Sequence, residues 1–283
     1  MKNSAKIALG TTGAVVAAGL ALGGRRLADD RHYARMQRAL ALAPNGLCFE
    51  ESMVADLPEP VQRYFLHAIR PGTPLVLSVR LTLSGRMRPR ADAPFIDLKA
   101  DEILAPQHGF LWTAQFKKGH IPGRVVDFYF DEKGGFDVRM LGLFPIVHTR
   151  DEHVTKSSVG RLAAESIWCP AALLPQNDVQ WIALDHDHIQ ANFAIDYEPI
   201  SFILRLSPAG RVLTLTMERH SQEGREDWGP TPYGFAFEAE DTFGGYTLPT
   251  RAIGGWYYGT PRFDEENASQ FTLENAFFKG DYR

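Results

Sequence analysis

Apolar and polar side chains alternate with a period of two along several separate stretches of this chain. Between residues 75 and 84, leucine or valine fills every second position, and similar alternation recurs in residues 189–197, 213–218 and 235–243. A strand with this pattern buries one face and leaves the other face in water. Because clean alternation is typical of antiparallel sheets packed on one side, the chain is predicted to be mainly β.

Turn signals separate these stretches and fix the size of the predicted sheet. They lie at residues 132–135, 207–210 and 244–245, and the spacing predicts about ten to twelve strands. A sheet of that size must curl, because a long open sheet twists strongly and leaves unpaired edges. One helix is predicted near residues 160–169, with Leu162, Ala163, Ser166 and Ile167 facing the sheet. The predicted fold is a large curled antiparallel sheet, or half-barrel, with this helix against its concave face.

N-terminal helices are predicted before the sheet. Residues 26–43 form the first, which ends at Pro44-Asn45-Gly46, and a second begins at Pro58 or Pro60, since proline suits the first helical turn. The chain is accordingly divided into three parts. Residues 1–25 are an N-terminal membrane anchor or signal segment, residues 26–56 a helical connector, and residues 57–283 a single β-rich domain.

An uncharged apolar stretch runs from Ile7 to Gly24, between Lys6 and the pair Arg25-Arg26. A helix needs about 17–25 such residues to span a bilayer, so this stretch is long enough. It also fits a signal peptide, with a basic start and small residues near its end. The arginines directly after the stretch favour an anchor that is retained.

The side of the membrane on which the domain lies is indicated by two opposing signals. More lysines and arginines follow the apolar stretch than precede it, and the positive-inside rule then favours a cytoplasmic domain. A short N-terminal segment followed by a β-rich domain is more typical of exported proteins. We expect an inner-membrane-anchored protein of the bacterial envelope, with the domain on the exported, periplasmic side.

Motifs for common chemistries are missing from the sequence. There is no G-x-S-x-G turn, Walker loop or G-x-G-x-x-G, which disfavours the usual hydrolase and nucleotide-binding classes. The net charge of -4 argues against nucleic-acid binding. Asp185-His186-Asp187-His188 has metal-ligand residue types, but a polar hairpin tip accounts for it. No cofactor or metal is predicted, and whether the domain is an enzyme stays open.

Two carboxylates are candidate site residues. Glu165 lies three positions before Trp168 on the predicted helix, so the two share a face. A carboxylate facing the sheet needs a partner, because burying it alone is costly, and Arg139 and Arg251 are the candidates. Asp127 is the second carboxylate, on the same strand face as Val125 and Tyr129. Two carboxylates close together could perform acid–base chemistry on a glycan.

Tryptophans are candidates for lining an apolar ligand site. Trp112, Trp168 and Trp256, together with Trp228, are spread over the predicted domain. Large aromatic side chains of this kind more often belong to the core. The predicted binding residues are Trp112, Asp127, Arg139, Glu165, Trp168, Arg251 and Trp256.

Several ordered sequence blocks resemble a known family. The opening LPEPVQRY at residues 57–64 resembles the LPxPVxRY start of an uncharacterised bacterial domain family, and ESIWCPAALLP at residues 165–175 resembles its ExxWxPxALLP helix motif. Further matches lie at residues 140–143, 231–233 and 248–251, so the resemblance covers about residues 57–260. It implies no established activity. The curled sheet with a helix is also similar in outline to periplasmic lipoprotein carriers, although fold alone does not fix function.

Three functions are compatible with these features. The first is a membrane-associated binding or carrier module for an apolar, lipid-like ligand, with the dry face of the sheet as its cavity. The second is an envelope hydrolase that uses Glu165 or Asp127. The third is a structural or assembly protein whose sheet surface docks a partner. They are ranked in that order.

Membrane attachment through residues 7–24 can be tested directly. After carbonate extraction of membranes, the full-length chain is expected in the pellet, because an uncharged run of this length partitions into the bilayer. Release into the soluble fraction with a shortened N-terminus would show a cleaved signal peptide instead.

Overall fold

Thirteen antiparallel strands form one continuous sheet in the part of the chain that the structure describes, residues 23–44, 46–88 and 93–278 of a computed structural model. The first six are β1 (Val79–Met87), β2 (Ile96–Ala105), β3 (Gly109–Lys118), β4 (Ile121–Phe130), β5 (Lys133–Met140) and β6 (Phe144–Thr149). The others are β7 (Gln180–Ala183), β8 (His188–Ile195), β9 (Glu198–Leu206), β10 (Val212–Ser221), β11 (Gly229–Phe243), β12 (Tyr246–Trp256) and β13 (Ser269–Phe277). The predicted mainly β fold is confirmed.

The strand order brings the two halves of the chain together at the middle of the sheet. It runs β6-β5-β4-β3-β2-β1-β13-β12-β11-β10-β9-β8-β7. Strands β1 to β6 therefore build outward to one edge, and β7 to β13 return from the other edge. The pairing of β1 with β13, with Leu81 opposite Ala276, joins the halves.

Helix α3 (Glu152–Glu165) and short 3-10 turns up to Asn177 carry the chain from the edge strand β6 to the edge strand β7. A flat sheet of 13 strands would place its edges about 58 Å apart, whereas α3 is only about 21 Å long. The sheet is curled instead. The Tyr129 hydroxyl on β4 donates to Asp196 in the β8–β9 turn, and α3 fills the concave face, as predicted.

Helix α3 begins eight residues earlier than the predicted residue 160. Asp151 caps it, since its carboxylate accepts from the Val154 N–H at 2.8 Å. The first two turns are largely polar, with Glu152 exposed and Lys156 partly exposed, so a pattern read from apolar residues alone missed them. The prediction that Leu162, Ala163, Ser166 and Ile167 face the sheet is confirmed, since all four are buried.

Helix α1, described over residues 23–40, packs on the convex face of the sheet. Its apolar side contributes Tyr33, Met36 and Leu40 to a cluster with Ile103, Ala105, Leu111, Val126 and Phe128. The Tyr33 hydroxyl also donates to Asp137 on β5, which accepts from Arg150 at 2.5 Å. Burial would raise the pKa of Asp137, but these bonds hold it below its usual range. The predicted N-terminal helix is thus tied to the outside of the half-barrel.

Helix α2 (Glu59–Ala68) lies where the proline pair predicts it. Its buried face, including Val61, Tyr64 and Phe65, faces the core. The rings of Tyr64 and Trp181 lie 5.5 Å apart. This helix therefore joins the concave core to strand β7.

No helix among the described residues is long and apolar enough to span a bilayer. Apart from Gly23 and Gly24, the predicted anchor, residues 7–24, lies outside the described ranges.

The predicted buried and exposed faces of β11 are correct as far as Glu238. Phe237 is buried and Glu238 is exposed, as the alternation predicts. Two register shifts follow, between Phe237 and Ala239 and between Ala239 and Glu240. A bulge of this kind interrupts the alternation, so Asp241, predicted on the dry face, is exposed.

The register of β11 can be tested with two neighbouring substitutions. Phe237→Asp is expected to lower the free energy of unfolding by about 3–5 kcal/mol, because it places a charge in the core and removes aromatic packing. Glu238→Ala, the control, is expected to stay within about 0.5 kcal/mol of wild type. Equal midpoints for the two variants in denaturant unfolding would contradict the register.

Candidate functional site

Arg161 on α3 sits at the centre of a buried polar cluster on the concave face. Its Nη1 donates to Oδ2 of Asp127 on β4 at 2.7 Å, and its Nε donates to Oε1 of Glu165 at 2.9 Å. All three side chains are at most 16% exposed. The structure therefore brings together the two carboxylates that the sequence predicts as candidates.

Aromatic rings and carboxylates surround the same guanidinium. Its central carbon lies 4.9 Å from the ring centroid of Phe110 and 4.8 Å from that of Trp112, both on β3. Burial would lower the pKa of Arg161, but Glu165, Asp127 and Glu102 raise it well above its usual range. Arg161 is therefore a permanent cation, which these rings attract through their faces.

Glu102 on β2 is the third carboxyl group of the cluster, and it is only 2% exposed. Among the described residues, neither of its oxygens has a hydrogen-bond partner within ordinary distance, and Oε2 of Glu165 also lacks one. Burial raises the pKa of Glu102 well above its usual range, and the neighbouring Glu165 raises it further. Burial therefore favours the protonated form of Glu102, since it disfavours the charged form.

Sequence reasoning missed Glu102, although a signal was present. Leu98, Ala100 and Leu104 alternate with polar residues along β2 and are buried. Glu102 falls in the same series. A carboxyl group on the dry face of a strand requires either a partner or a proton, which marks it as a candidate.

The prediction that an arginine holds Glu165 is confirmed, but the two named arginines are wrong. Arg161, four residues earlier on the same helix, is the partner. Arg139 projects from the convex face of β5 and pairs with Asp29 of α1. Arg251 is 65% exposed and lies 3.6 Å from Glu238. Arg139 cannot reach Glu165, because the alternation of side chains along β5 directs it away from the face that α3 covers.

The tryptophans occupy separate places in the fold. Trp168 is buried, and its indole N–H donates to the Pro249 carbonyl at 2.9 Å. Trp256 packs against Tyr233 with ring centroids 4.8 Å apart. The Arg219 guanidinium lies over Trp256 at 4.9 Å. Only Trp112 joins the Arg161 cluster among the three predicted tryptophans.

An open groove of about 910 Å³ lies across one end of β1–β4, β12 and β13. Phe95, Leu98, Phe116 and Phe271 are among its apolar lining residues. Two of these rings lie over glycines on neighbouring strands. Phe116 is the register partner of Gly123, where an added Cβ would lie 2.3 Å from the ring, and Phe271 is paired with Gly85, where that distance is 2.6 Å. The missing side chains make room for the two rings.

Charged residues also line the groove, and basic ones outnumber acidic ones. They are Arg86, Lys99, Lys117 and Arg251 against Asp97 and Glu238. The local charge is therefore +2 in a chain with a net charge of -4. Of the predicted binding residues, Arg251 is the one that lines this groove.

One group of carboxylate and imidazole side chains among the described residues has ligand atoms close enough to hold a metal ion: Asp185, Asp187 and His188. Asp185 Oδ1 accepts from the backbone N–H groups of Asp187 and His188 at 3.0 and 2.8 Å. Its pKa is lowered by these bonds. The group lies between β7 and β8, which agrees with its interpretation as a hairpin tip.

The proton on Glu102 has a measurable effect on stability. A carboxyl group whose pKa is raised by folding stabilises the protein below its unfolded pKa, near ~4.3, and that contribution is lost as pH rises through the folded pKa. Glu102→Gln removes this loss, because the amide stays neutral. The variant is expected to gain stability relative to wild type between pH 4 and pH 8, by about 1.4 kcal/mol for each unit by which the pKa is raised.

Denaturant unfolding at a series of pH values measures this difference. Glu59→Gln is the control, because Glu59 is 67% exposed and pairs with Arg63 in the next helical turn. A constant difference between Glu102→Gln and wild type over this pH range would contradict a proton on Glu102.

Several solved structures, including the following three, are similar to this chain. A domain described as an outer membrane lipoprotein-sorting protein from Vibrio parahaemolyticus is 8% identical, with a TM-score of 0.40, over 73% of this chain and 87% of that one. A LolA superfamily protein from Nitrosomonas europaea is 10% identical, with a TM-score of 0.44, over 79% and 93%. A DUF1329 family protein from Desulfovibrio piger is 8% identical, with a TM-score of 0.41, over 72% and 86%.

The search of curated proteins gives no match to this chain. The sequence profile of one family matches residues 47–264, which include the LPxPVxRY opening and the ExxWxPxALLP motif. The resemblance predicted from these motifs is confirmed. The chain belongs to DUF6544, a family of unknown function.

Proposed function

We propose that this protein is a membrane-attached binding module for an amphiphile that has an apolar body and an anionic head group. The observation that carries the proposal is the open groove of about 910 Å³, with aromatic lining residues and an excess of basic side chains. Binding sites of this size are generally apolar, with a few polar groups that orient the ligand. Attachment is through residues 7–24.

The apolar lining suits the body of such a ligand. Phe116 and Phe271 lie against glycines of the sheet, which restricts their movement. Phe95 is held from the other side, because the guanidinium groups of Arg86 and Arg88 lie 4.1 and 4.4 Å from its ring centroid. Rings held in place before binding lose little conformational entropy when a ligand arrives.

The basic side chains suit an anionic head group. Lys99 and Arg251 lie on the same face of the sheet, because Ser84 on β1 is opposite Lys99 and Thr272 on β13 is opposite both Ser84 and Arg251. Both side chains are exposed, so their attraction for an anion is screened by salt. The head group thus determines orientation and salt dependence, and the apolar lining supplies most of the affinity.

The part of the concave face that α3 covers is not used as the ligand cavity in this proposal. Helix α3 fills it, and Leu162, Ala163, Ile167 and Leu173 belong to the continuous core. Asp127 and Glu165, the residues of the hydrolase alternative, both accept from the buried Arg161. Removing one partner of such a buried pair costs about 3–5 kcal/mol. These contacts favour a structural brace over a catalytic pair.

The groove can be tested with 11-(dansylamino)undecanoic acid, a fluorescent anionic amphiphile, in titrations of the purified full-length protein. The double variant Lys99→Gln/Arg251→Gln is expected to bind about tenfold more weakly at low salt, since two exposed charge contacts contribute about 1.4 kcal/mol together. Phe95→Ala is expected to weaken binding at all salt concentrations, because it removes apolar contact.

The control is Lys133→Gln/Lys156→Gln, which changes the net charge equally at positions that do not line the groove. Its affinity for the probe is expected to equal that of wild type. If both double variants bind alike, or if wild type does not bind the probe, the groove is not the binding site. A neutral probe, N-phenyl-1-naphthylamine, separates the effect of charge from loss of the apolar site.

A further inference from the structure

One end of the sheet exposes a cluster of large apolar side chains, which we call the apolar rim. It consists of Leu27, Ile121, Leu141, Leu143, Phe144 and Ile146, each between 38% and 62% exposed. These are half of the twelve large apolar residues that are exposed in the described part of the chain. Apolar residues scattered singly need no explanation, but a concentration of them marks an interaction surface.

Neighbouring turns bring the rim residues together. The β3–β4 turn places Ile121 at the start of β4, and the β5–β6 turn carries Leu141 and Leu143. The two turns are bonded to each other, because the Leu141 N–H donates to the Pro122 carbonyl at 2.8 Å. Phe144 and Ile146 continue the rim along β6, an edge strand of the sheet.

Helix α1 begins its described part beside the same turns. A Cβ added at Gly142 would lie 3.5 Å from Nη1 of Arg26. Asp29 and Asp30, one turn further along α1, pair with Arg139 on β5 and Arg124 on β4. These contacts fix the start of α1, including Leu27, to the end of the sheet that carries the rim.

We propose that the apolar rim rests in the interfacial layer of a bilayer that contains anionic phospholipids. The uncharged run of residues 7–24 ends three positions before Leu27, which is about 5 Å along a helix. A bilayer that holds this run therefore lies directly against the rim. The inference rests on the membrane attachment in the proposed function.

The charges around the rim suit an anionic surface. Arg25, Arg26, Lys117 and Lys118 are all exposed at this end of the molecule. Basic residues close to an anionic membrane are attracted to it electrostatically. Apolar side chains flanked by basic ones are the usual composition of a surface that lies in the membrane interface.

The groove opens at the same end of the sheet. Lys117 and Pro122, on either side of the β3–β4 turn, line the groove, and Pro122 accepts the backbone bond from Leu141 of the rim. A rim seated in the bilayer therefore brings the groove next to the lipid head groups. In this arrangement the ligand is a membrane amphiphile that passes between bilayer and groove.

Depth-dependent quenching tests the rim in the full-length protein. A fluorescent label is placed at Ile146→Cys in a Cys48→Ser background, since Cys48 is exposed and Cys169 is buried. The protein is reconstituted in vesicles of phosphatidylcholine and phosphatidylglycerol that contain doxyl-labelled lipid. Quenching is expected to be at least about twofold greater than at a water-exposed site, because interfacial side chains lie about 5–10 Å into the bilayer boundary.

The matched control carries the label at Tyr197→Cys. Tyr197 is 90% exposed and follows Asp196, which binds Tyr129 on β4. Tyr129 is eight residues along β4 from Ile121, or about 26 Å away. Adding Leu141→Ser and Phe144→Ser to the Ile146 label is expected to reduce its quenching, while unchanged flotation and circular dichroism show that the chain is still attached and folded.

Flotation of the vesicles separates the proposal that the rim lies in the bilayer from the proposal that residues 7–24 attach the chain to it. If the chain floats and the label at position 146 is no better quenched than the label at 197, the rim proposal is wrong and attachment stands. A second copy of the chain then covers the rim. If the chain neither floats nor shows quenching, both the rim and the attachment are wrong. Binding of the dansyl probe in the same samples tests the groove independently.

Discussion

The guanidinium of Arg161 connects the parts of this structure that the fold has to hold together. It binds Asp127 on one wall of the half-barrel and Glu165 on its own helix, and it lies on two rings of β3. A second arginine, Arg219, packs against α3 at Gly160. A Cβ added at Gly160 would lie 2.7 Å from Cγ of Arg219, so glycine makes room for this side chain. Arg219 in turn donates to the Ser157 carbonyl at 2.9 Å. Two arginines thus fasten α3 to opposite walls, which keeps the sheet curled.

Alternation in the sequence was sufficient to predict the sheet, because the apolar and polar residues of each strand identify its buried and exposed faces. The buried residues of α2 and the inward side of α3 were also predictable from local spacing. The partner of Glu165 was not. Choosing between Arg161 and Arg139 requires knowing which face of β5 meets α3, and that depends on the register between strands. The bulges of β11 were likewise hidden, since the residues that cause them have no special composition.

The candidate site was predictable only in part for the same reason. Asp127, Glu165 and Trp112 converge as the sequence allowed, but Glu102 joins them from a strand that no motif had marked. The groove depends on cross-strand pairs such as Phe116 with Gly123. The spacing of these residues along the sequence does not show that they lie opposite each other. The sequence predicts Arg251 as a partner for a buried carboxylate, but in the structure Arg251 lines the open groove.

The central pairing of β1 with β13 has a consequence for how the chain is made. Arg80 of β1 pairs with Phe277 of β13, which is synthesised almost two hundred positions later. Until then, hairpins β1 to β6 can form, but the middle of the sheet remains an unpaired edge. Contacts that join distant parts of a chain form slowly, because the entropy of closing the loop comes first. A chain of this design completes its sheet only after β13 has been synthesised, and until then the edges of β1 and its neighbours stay open to a chaperone.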